Sequence, residues 1–311
     1  MRVFSSDRLE VPLPPGHRFP MEKYRLLRER LLADGVLRPD ELEEAPLASR
    51  EELALAHDAG YLDQVFTGQL TELEQKRIGL PWSEALLARS RASVGGTVAA
   101  AREALASGVG ANLAGGTHHA GPSHGEGYCV FNDLATAIRV LQREGAIRRA
   151  AVVDLDVHQG NGTARHFAGD PSVFTFSIHG EKNFPFRKAA SSLDVGLPDG
   201  AGDEAYLAAL SAHLPGVLDA AAADLVLYQA GVDPLALDTL GRLSLTHQGL
   251  RDRDRLVFET VRARGLPLVL TLGGGYARPI EATVLAHVGT YLEALAVFEG
   301  RGARAMVPRC S

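Results

Sequence analysis

The stretch Ala150-Ala-Val-Val-Asp154-Leu-Asp156-Val-His158 joins an apolar run to two carboxylates and an imidazole. In a β-strand, residues two apart point to the same face. Asp154, Asp156 and His158 would then lie together at the carboxyl end of a buried strand. Crowded carboxylates repel one another and lose hydration, so their burial is costly unless a cation accompanies them. The stretch therefore predicts half of a metal site, and the rest of the chain must supply the other half.

Similar apolar runs with polar or glycine-rich ends occur along the whole chain, at 109–114, 151–157, 172–178, 224–230 and 267–272. Helix-like segments accompany them at 86–107, 133–144, 204–222 and 246–264. The alternation favours an α/β fold with a mostly parallel sheet, in one domain over 1–311, with a helical N-terminal region at about 20–75 packed onto it. Open sheets of this kind bind ligands at the carboxyl ends of their strands.

Composition excludes several classes of protein. The 311 residues are 46% hydrophobic and 23% charged, with a net charge of −6 and no cluster of Lys and Arg, so a nucleic-acid partner is not expected. The N-terminus lacks a signal pattern, and no apolar run looks long enough to span a bilayer. The only cysteines, Cys129 and Cys310, form no disulfide framework. We expect a soluble cytoplasmic protein without a membrane partner.

Polar residues follow three further strands: His118 and His119 after the first, Asp233 after the fourth, and Tyr276 behind Gly273-Gly-Gly after the fifth. Each has a simple explanation by itself, as surface histidines, a turn aspartate before proline, or a tyrosine packed on a flexible turn. Four of the five strand ends carry such residues once Asp154–His158 is included. That coincidence favours a single site.

The residue types fit metal-assisted hydrolysis. Two Asp and one His suit a divalent metal of zinc type with an open coordination position. Such a metal polarises a carbonyl and activates water, a nearby His removes the water proton, and a Tyr hydroxyl stabilises the developing oxyanion. Together these groups can hydrolyse an amide.

Six motifs resemble, in the same order, those of the histone deacetylase superfamily: GGTHHA (115–120), GYCVFND (127–133), VVDLDVHQGNGT (152–163), FSIHG (176–180), AGVDPLALDTLGRLSLT (230–246) and LGGGY (272–276). The resemblance covers roughly residues 17–290. HRFPMEKY (17–24), HQGNG and DTLGRLSLT look closest to the bacterial, class IV-like branch. The resemblance implies an arginase/deacetylase-like three-layer α/β/α sandwich around an eight-stranded, mostly parallel sheet. It also implies hydrolysis of N-acyl-lysine, such as acetyl-lysine, in proteins or peptides.

The resemblance also implies roles for individual residues. The matches to the zinc ligands, where Fe²⁺ is an alternative metal, are Asp156, His158 and Asp233. The matches to the catalytic groups are His118, His119 as general base and acid, Asp154 behind His118, Asn161 behind His119, and Tyr276. A structural potassium site would use Asp154, the Ser177 hydroxyl and the carbonyls of Asp156, His158 and Ile178. The substrate channel would be formed by Gly127, Tyr128, Phe184, Leu240 and Gly274.

Several positions depart from the class I pattern. Asn161 stands where those enzymes have Asp, and Tyr128 replaces the commoner Phe. The segment 79–82 lacks the Asp that holds a peptide backbone at the channel rim, which makes tight, sequence-specific peptide binding doubtful. Arg18 is a weaker match, to an arginine below the site.

Three alternatives stay open. A small acyl-amine substrate such as an acetylpolyamine would be favoured by a carboxylate at the channel mouth, for which Glu126, Glu181 and Asp238 are candidates. Arginase-like ureohydrolase chemistry would need two metals and more ligands than the motifs supply. A module that binds acyl-lysine without hydrolysing it would be expected to lack a ligand or Tyr276, and none is missing.

Overall fold

The computed structural model describes residues 1–301, which form one eight-stranded sheet. The strands are β1 (Arg2–Ser5), β2 (Leu42–Glu44), β3 (Val109–Asn112), β4 (Ala150–Asp154), β5 (Val173–Gly180), β6 (Leu193–Leu197), β7 (Leu225–Gln229) and β8 (Leu268–Thr271). Their order is β2-β1-β3-β8-β7-β4-β5-β6, and every neighbouring pair is parallel. The predicted mostly parallel sheet of eight strands is confirmed.

Ten α-helices lie within the described residues. They are α1 (Lys23–Ala33), α2 (Arg50–Leu53), α3 (Ala59–Thr67), α4 (Glu72–Ile78), α5 (Glu84–Ser107), α6 (Asp133–Arg143), α7 (Asn161–His166), α8 (Asp203–Ala221), α9 (His247–Ala263) and α10 (Ile280–Glu299). One face of the sheet is covered by α1, α8, α9 and α10, and the other by α5 and α6. This arrangement is the three-layer sandwich expected from the resemblance.

Strand β4 shows why the sheet is buried on both faces. Ala151 and Val153 pack into the core beneath α8 and α9, whereas Ala150 and Val152 pack into the core beneath α5 and α6. A continuous apolar run is what a central parallel strand needs, because helices cover both sides of it. The run leaves polar side chains only where the strand ends, at Asp154.

The N-terminal region and one strand differ from the expectation. Strands β1, β2 and β6 were not predicted, and β2 lies inside the segment 20–75 that was expected to be helical. These strands are short, lie toward the edges of the sheet, and include charged residues, so their sequences lack the apolar runs of central strands. Four α-helices do occupy much of that segment.

The expectation that no apolar run is long enough to span a bilayer is wrong when judged by the length and composition of the helices alone. Helix α10 is long and apolar enough to cross a membrane, yet 67% of its most apolar window is buried inside the fold. It packs against α9 and α1, which explains its composition as that of a core helix. Cys129 is a buried free thiol, whereas Cys310 lies outside the described residues.

Candidate active site and metal centre

Three side chains converge beyond the carboxyl ends of β4 and β7. One ligand atom each from Asp156, His158 and Asp233 lies within 4.8 Å of the others. His158 Nδ1 is 3.0 Å from an oxygen of Asp156 and 3.0 Å from an oxygen of Asp233. Strand β4 ends at Asp154, so Asp156 and His158 come from the following loop rather than from the strand itself. Asp154 does not belong to this group of ligand atoms.

The backbone around the three residues fixes their oxygens. The Gly274 amide donates to Asp156 Oδ2 at 2.7 Å, and the Val157 amide donates to Asp233 Oδ1 at 2.8 Å. A β-carbon on Gly274 would stand 1.8 Å from Asp233 Oδ2. Only glycine fits there, because the turn after β8 passes directly over the carboxylates.

The electrostatics of the three residues fit a divalent cation. Burial raises the pKa of Asp233 to about 7, and repulsion from Asp156 adds to the effect of burial. Burial opposes the charge on His158, but hydrogen bonds to both carboxylates outweigh it and raise its pKa to about 10. Two carboxylate oxygens and one imidazole nitrogen at this spacing suit a metal of zinc type. In the absence of a metal, a proton on His158 provides the positive charge.

Two histidine pairs lie beside the candidate metal ligands. His118 Nδ1 is 2.7 Å from Asp154 Oδ2, and His119 Nδ1 is 2.7 Å from Asn161 Oδ1. Burial works against a charged His118, but Asp154 and Asp156 raise its pKa overall. Burial and the neighbouring His118 hold the pKa of His119 well below its usual value. At neutral pH, His119 is therefore the uncharged histidine of the two.

Glu126 extends the second pair. Its carboxylate accepts a hydrogen bond from Asn161 Nδ2 at 2.8 Å, which leaves the Asn161 carbonyl oxygen facing His119 Nδ1. His119 therefore donates from Nδ1 and keeps the lone pair of Nε2 available. The sequence named Glu126 only as a possible carboxylate at the mouth, and gave no sign of its contact with Asn161.

A cavity of about 740 Å³ leads from the surface to these residues. Its walls include Gly127, Tyr128, Phe184, Leu240 and Tyr276, and it reaches His119 and His158. The rings of Phe184 and His119 meet edge to face, with centroids 4.9 Å apart. A β-carbon on Gly127, whose φ is 55°, would stand 2.6 Å from the His119 ring, so glycine lets the wall approach this histidine.

Comparison with known proteins identifies the family. The model of the family described as "Histone deacetylase domain" matches residues 17–292. The chain belongs to the histone deacetylase family. An uncharacterized protein of Picosynechococcus sp. is 49% identical over 277 residues, which are 89% of this chain and 92% of that protein. Histone deacetylase 2 of Arabidopsis thaliana is 30% identical over 287 residues, covering 87% of this chain and 72% of that protein.

The crystal structure of an HDAC homolog from Aquifex aeolicus matches with a TM-score of 0.81 and 26% identity, over 94% of this chain and 83% of that chain. It confirms the arginase/deacetylase-like α/β/α fold. Membership of the histone deacetylase family makes the chain a deacetylase, an enzyme of the hydrolase class. The resemblance deduced from the six motifs is therefore confirmed.

A buried lysine that the sequence did not reveal lies at the base of this deacetylase site. Lys23 Nζ donates to the Gly273 carbonyl at 3.1 Å and lies 5.2–5.7 Å from the ring centroids of Phe19, Tyr24 and Tyr276. It therefore holds the glycine turn that also contacts Asp156. Arg18, expected below the site, instead lines the cavity at the channel mouth.

The residues expected to bind potassium lie on adjacent strands. Asp154 on β4 is the register partner of Ser177 on β5, and Ile178 follows Ser177. The Ser177 hydroxyl is 2.9 Å from His179 Nδ1. The peptide between Val157 and His158 is tied to β5, because the Gly180 amide donates to the Val157 carbonyl at 2.9 Å. Asp154 and Ser177 therefore lie on the same face of the sheet, whereas the Ile178 side chain packs into the core on the other face.

The other candidate carboxylates are not available at the mouth. Asp238 is largely enclosed and accepts hydrogen bonds from the amides of Leu240, Gly241 and Tyr276. It therefore fixes the loop that carries the tyrosine. Glu181 is exposed, but it does not line the cavity. In the segment 79–82, Gly79 lies against the Tyr128 ring and no acidic side chain is present.

Proposed function

We propose that the chain hydrolyses the amide of N-acyl-lysine, including acetyl-lysine, in proteins or peptides, with Zn²⁺ or Fe²⁺ held by Asp156, His158 and Asp233. The observation that carries the proposal is that His158, which groups with Asp156 and Asp233, lines one cavity together with His119 and Tyr276. Tyr128 and Phe184 both line this cavity, and aromatic walls suit the apolar stem of an acylated lysine.

The bound metal would polarise the acyl carbonyl and lower the pKa of water from about 16 toward about 7. His119 Nε2 takes the proton that the attacking water loses and returns it to the leaving amine. Its low pKa keeps it neutral, and the hydrogen bond from Nδ1 to Asn161 fixes its tautomer. The pKa of His118 is shifted the other way, upward, because Asp154 and Asp156 outweigh the effect of burial, so His119 is the better base of the two.

Tyr276 supplies a hydroxyl rather than a phenolate. Burial, followed by repulsion from Asp233 and Asp156, raises its pKa well above the usual value. The hydroxyl therefore remains protonated at neutral pH and donates a hydrogen bond to the oxyanion that develops on the acyl carbon. The Tyr276 amide is held by Asp238 at 2.6 Å, which restricts the position of the ring.

Asp154 has a supporting role in this proposal. It orients His118 through Nδ1 and, together with the Ser177 hydroxyl and the carbonyls of Asp156, His158 and Ile178, binds a structural potassium ion. The pairing of Asp154 with Ser177 across β4 and β5 supports that site. A monovalent cation there would offset the negative charge that burial makes costly.

The structure bears on the alternatives. Within residues 1–301, one group of three possible metal ligands is found, whereas ureohydrolase chemistry with two metals would need more. The acetylpolyamine alternative would be favoured by a carboxylate at the mouth. Glu126 is the acidic residue in the cavity lining, and it already contacts Asn161, Arg77 and Arg165.

The substitution Tyr276→Phe tests the proposal. It should lower kcat on an acetyl-lysine peptide by about 10²–10³-fold, the usual cost of one lost oxyanion donor, while metal content stays unchanged. Tyr291→Phe is the matched control, because Tyr291 is buried far along α10 and its hydroxyl contacts only the Asn112 carbonyl. Full activity in Tyr276→Phe would refute the role of the hydroxyl.

Metal analysis tests the rest of the site. Asp156→Ala should lose both bound metal and turnover, because the ligand group is reduced to two residues. Stoichiometric Zn²⁺ or Fe²⁺ in the wild type, with activity lost to a chelator and restored by the metal, is the expected result. Metal-loaded protein that hydrolyses no acyl-amide would overturn the proposal.

A further inference from the structure

The mouth of the cavity is lined by positive side chains. Five of its lining residues are cationic, namely Arg18, Lys76, Arg77, Lys182 and Arg242, against the single carboxylate of Glu126. The chain as a whole has a net charge of −6, so this concentration of positive charge runs against the overall balance. Such a local excess attracts negatively charged partners even when the net charge does not.

The first group of cations is attached to the channel wall that Tyr128 forms. The Gly127 amide donates to the Arg77 carbonyl at 3.1 Å, and the Tyr128 amide donates to the Ile78 carbonyl at 2.7 Å. His17 Nε2 is 3.0 Å from the Gly79 carbonyl, which brings the neighbouring Arg18 to the same wall. Lys76 and Arg77 at the end of α4 are therefore fixed next to the cavity.

The second group of cations is attached to the opposite wall, which Phe184 and Leu240 form. Asn183 Nδ2 donates to the Leu240 carbonyl at 2.9 Å, and the Arg242 amide donates to Asn183 Oδ1 at 3.2 Å. Lys182 precedes Asn183 in the chain. Both groups of cations thus flank the entrance at fixed points of the two walls.

Arg77 pairs with Glu126 at 3.4 Å, whereas the ion pairs of the other cations leave their charges available. Lys182 and Arg242 share one carboxylate, that of Asp199, at 3.9 and 3.3 Å. Lys76 is 3.9 Å from Glu72, with both side chains at least 77% exposed. Exposed pairs of this kind contribute about 0–1 kcal/mol and exchange readily for better partners. Arg18 is exposed and has no ion-pair partner within residues 1–301.

We infer that the mouth binds an acidic segment of a protein, in which aspartates or glutamates flank the acyl-lysine that enters the cavity. The inference rests on the proposed function and adds the chemistry of the residues around the scissile amide. Anionic side chains on both sides of the lysine would meet cations on both walls. Phe186, 86% exposed at the same mouth, offers an apolar contact to the segment. Basic segments and acetylpolyamines would be repelled by the same cations.

Matched peptides test the inference. Three acetyl-lysine peptides of one length would carry glutamate, glutamine or lysine at the two positions on each side. We expect kcat/KM to rise about tenfold from glutamine to glutamate and to fall about tenfold from glutamine to lysine at low salt, chiefly through KM. The spread should shrink as salt rises, because exposed charges are screened. A flat series, or a preference for lysine, would overturn the inference.

Charge reversal localises the effect. Arg18→Glu combined with Arg242→Glu leaves three cations against three carboxylates at the mouth and should abolish the preference for the glutamate peptide over the lysine peptide. Arg143→Glu is the control, because it makes the same arginine-to-glutamate change at a site away from the mouth. Arg143 is exposed and is the last residue of α6. The Arg143→Glu variant should keep the order seen in the wild type. An unchanged order in the double variant would overturn the inference.

Binding separates this inference from the proposed function. The same three peptides, labelled with a fluorophore, would be titrated against the Tyr276→Phe variant by fluorescence anisotropy. Tighter binding of the glutamate peptide supports the inference even if no peptide is hydrolysed by the wild type, a result that would refute only the proposed activity. Turnover of the glutamine peptide without any preference for glutamate would leave the activity standing and refute the inference.

Discussion

Two buried clusters of charge in this molecule differ in how their charges are balanced. The arginine cluster consists of Arg253, Asp254, Tyr228 and Thr290, whose polar groups lie between the sheet, α9 and α10. The carboxylate cluster consists of Asp154, Asp156 and Asp233, together with His118 and His158. Arg253 and Asp254 are 0% exposed, and the three carboxylates are no more than 3% exposed.

The charges of the arginine cluster are balanced within the protein. Arg253 Nε donates to Asp254 at 2.8 Å, and Thr290 donates to the other oxygen of the same carboxylate at 2.6 Å. Arg253 Nη1 also donates to the carbonyls of Leu155 at 3.2 Å and Gly231 at 2.6 Å. Those carbonyls belong to the two loops that carry the candidate metal ligands. One balanced cluster therefore holds the other in place.

Within residues 1–301, the side chains that pair with the carboxylate cluster and can carry a positive charge are histidines. Three acids face two imidazoles, and the Asp233 pKa near 7 is the sign that the third negative charge is poorly compensated. A structural cluster would not be expected to keep such an excess, because a buried charge without a partner costs several kcal/mol. The difference between the clusters is what a binding site for cations requires.

The largest expected effect comes from breaking the balanced cluster. Arg253→Met should lower the free energy of unfolding by about 3–5 kcal/mol, since Asp254 would be left buried and unpaired. Metal affinity should fall as well, because the Leu155 and Gly231 carbonyls lose their donor. Urea titration and metal analysis of the purified variant measure both.

Arg251→Met is the control for that substitution. Arg251 precedes Arg253 on α9 and pairs with Glu293, which keeps Arg255 as a second partner. Arg251→Met should lower the free energy of unfolding by only about 0–1 kcal/mol, as expected for a partly exposed ion pair. Equal costs for the two variants would mean that the arginine cluster is no more important to stability than a surface pair.

A smaller effect of opposite sign is expected in the carboxylate cluster. Asp233→Asn should raise the unfolding free energy of the metal-free protein by about 1–2 kcal/mol at pH 8, at the expense of metal binding and activity. The reason is that an uncharged amide costs less to bury than a carboxylate and also removes the repulsion from Asp156. Asp254→Asn, the same chemical change in the arginine cluster, should instead destabilise the protein.

The pH dependence follows from the raised pKa of Asp233. The unfolded chain releases this proton near the ordinary value of 3.8, whereas the folded protein keeps it until about pH 7. The loss of unfolding free energy that Asp233 causes therefore grows between those two pH values and reaches its full size above pH 7. The extra unfolding free energy of Asp233→Asn over the wild type should therefore vanish near pH 4. A metal-free Asp233→Asn protein that is less stable than the wild type at pH 8 would contradict the interpretation of the cluster.

The carboxylate cluster could be predicted from the sequence, because the topology of the sheet is what brings its residues together. Parallel strands bring their carboxyl ends to one edge, so Asp156 and Asp233 could be expected to meet from their positions after apolar runs. The strand itself ends at Asp154, and the ligands that follow owe their positions to loop hydrogen bonds that periodicity does not predict. The assignment of Asp156, His158 and Asp233 as the ligands came from the family motifs.

The supporting residues could not be predicted, because their sequence context suggests another role. Arg253 stands in the run Arg-Asp-Arg-Asp-Arg (251–255), typical of a solvated helix face, and only the packing of α9 buries it. Lys23 begins a helix, where a lysine is usually exposed. Glu126 reaches Asn161 through a turn closed by a bridge between Glu126 and Cys129.

The smallest expected effect adds one more charge to the site. Asn161→Asp would place a carboxylate 2.7 Å from His119 Nδ1, where the wild type has a neutral amide. In the wild type, the nearest carboxylate in this chain of hydrogen bonds is that of Glu126, on the far side of Asn161. An adjacent negative charge favours the protonated imidazole, so the pKa of His119 rises from its depressed value. A general base must be unprotonated to act, so the acid limb of the kcat/KM profile should move to higher pH, by about 0.5–1 unit. Glu126→Gln, which keeps the hydrogen-bond acceptor but removes the more distant charge, should move that limb less and in the opposite direction. An Asn161→Asp profile that coincides with the wild type would show that His119 is not the group whose protonation limits the rate.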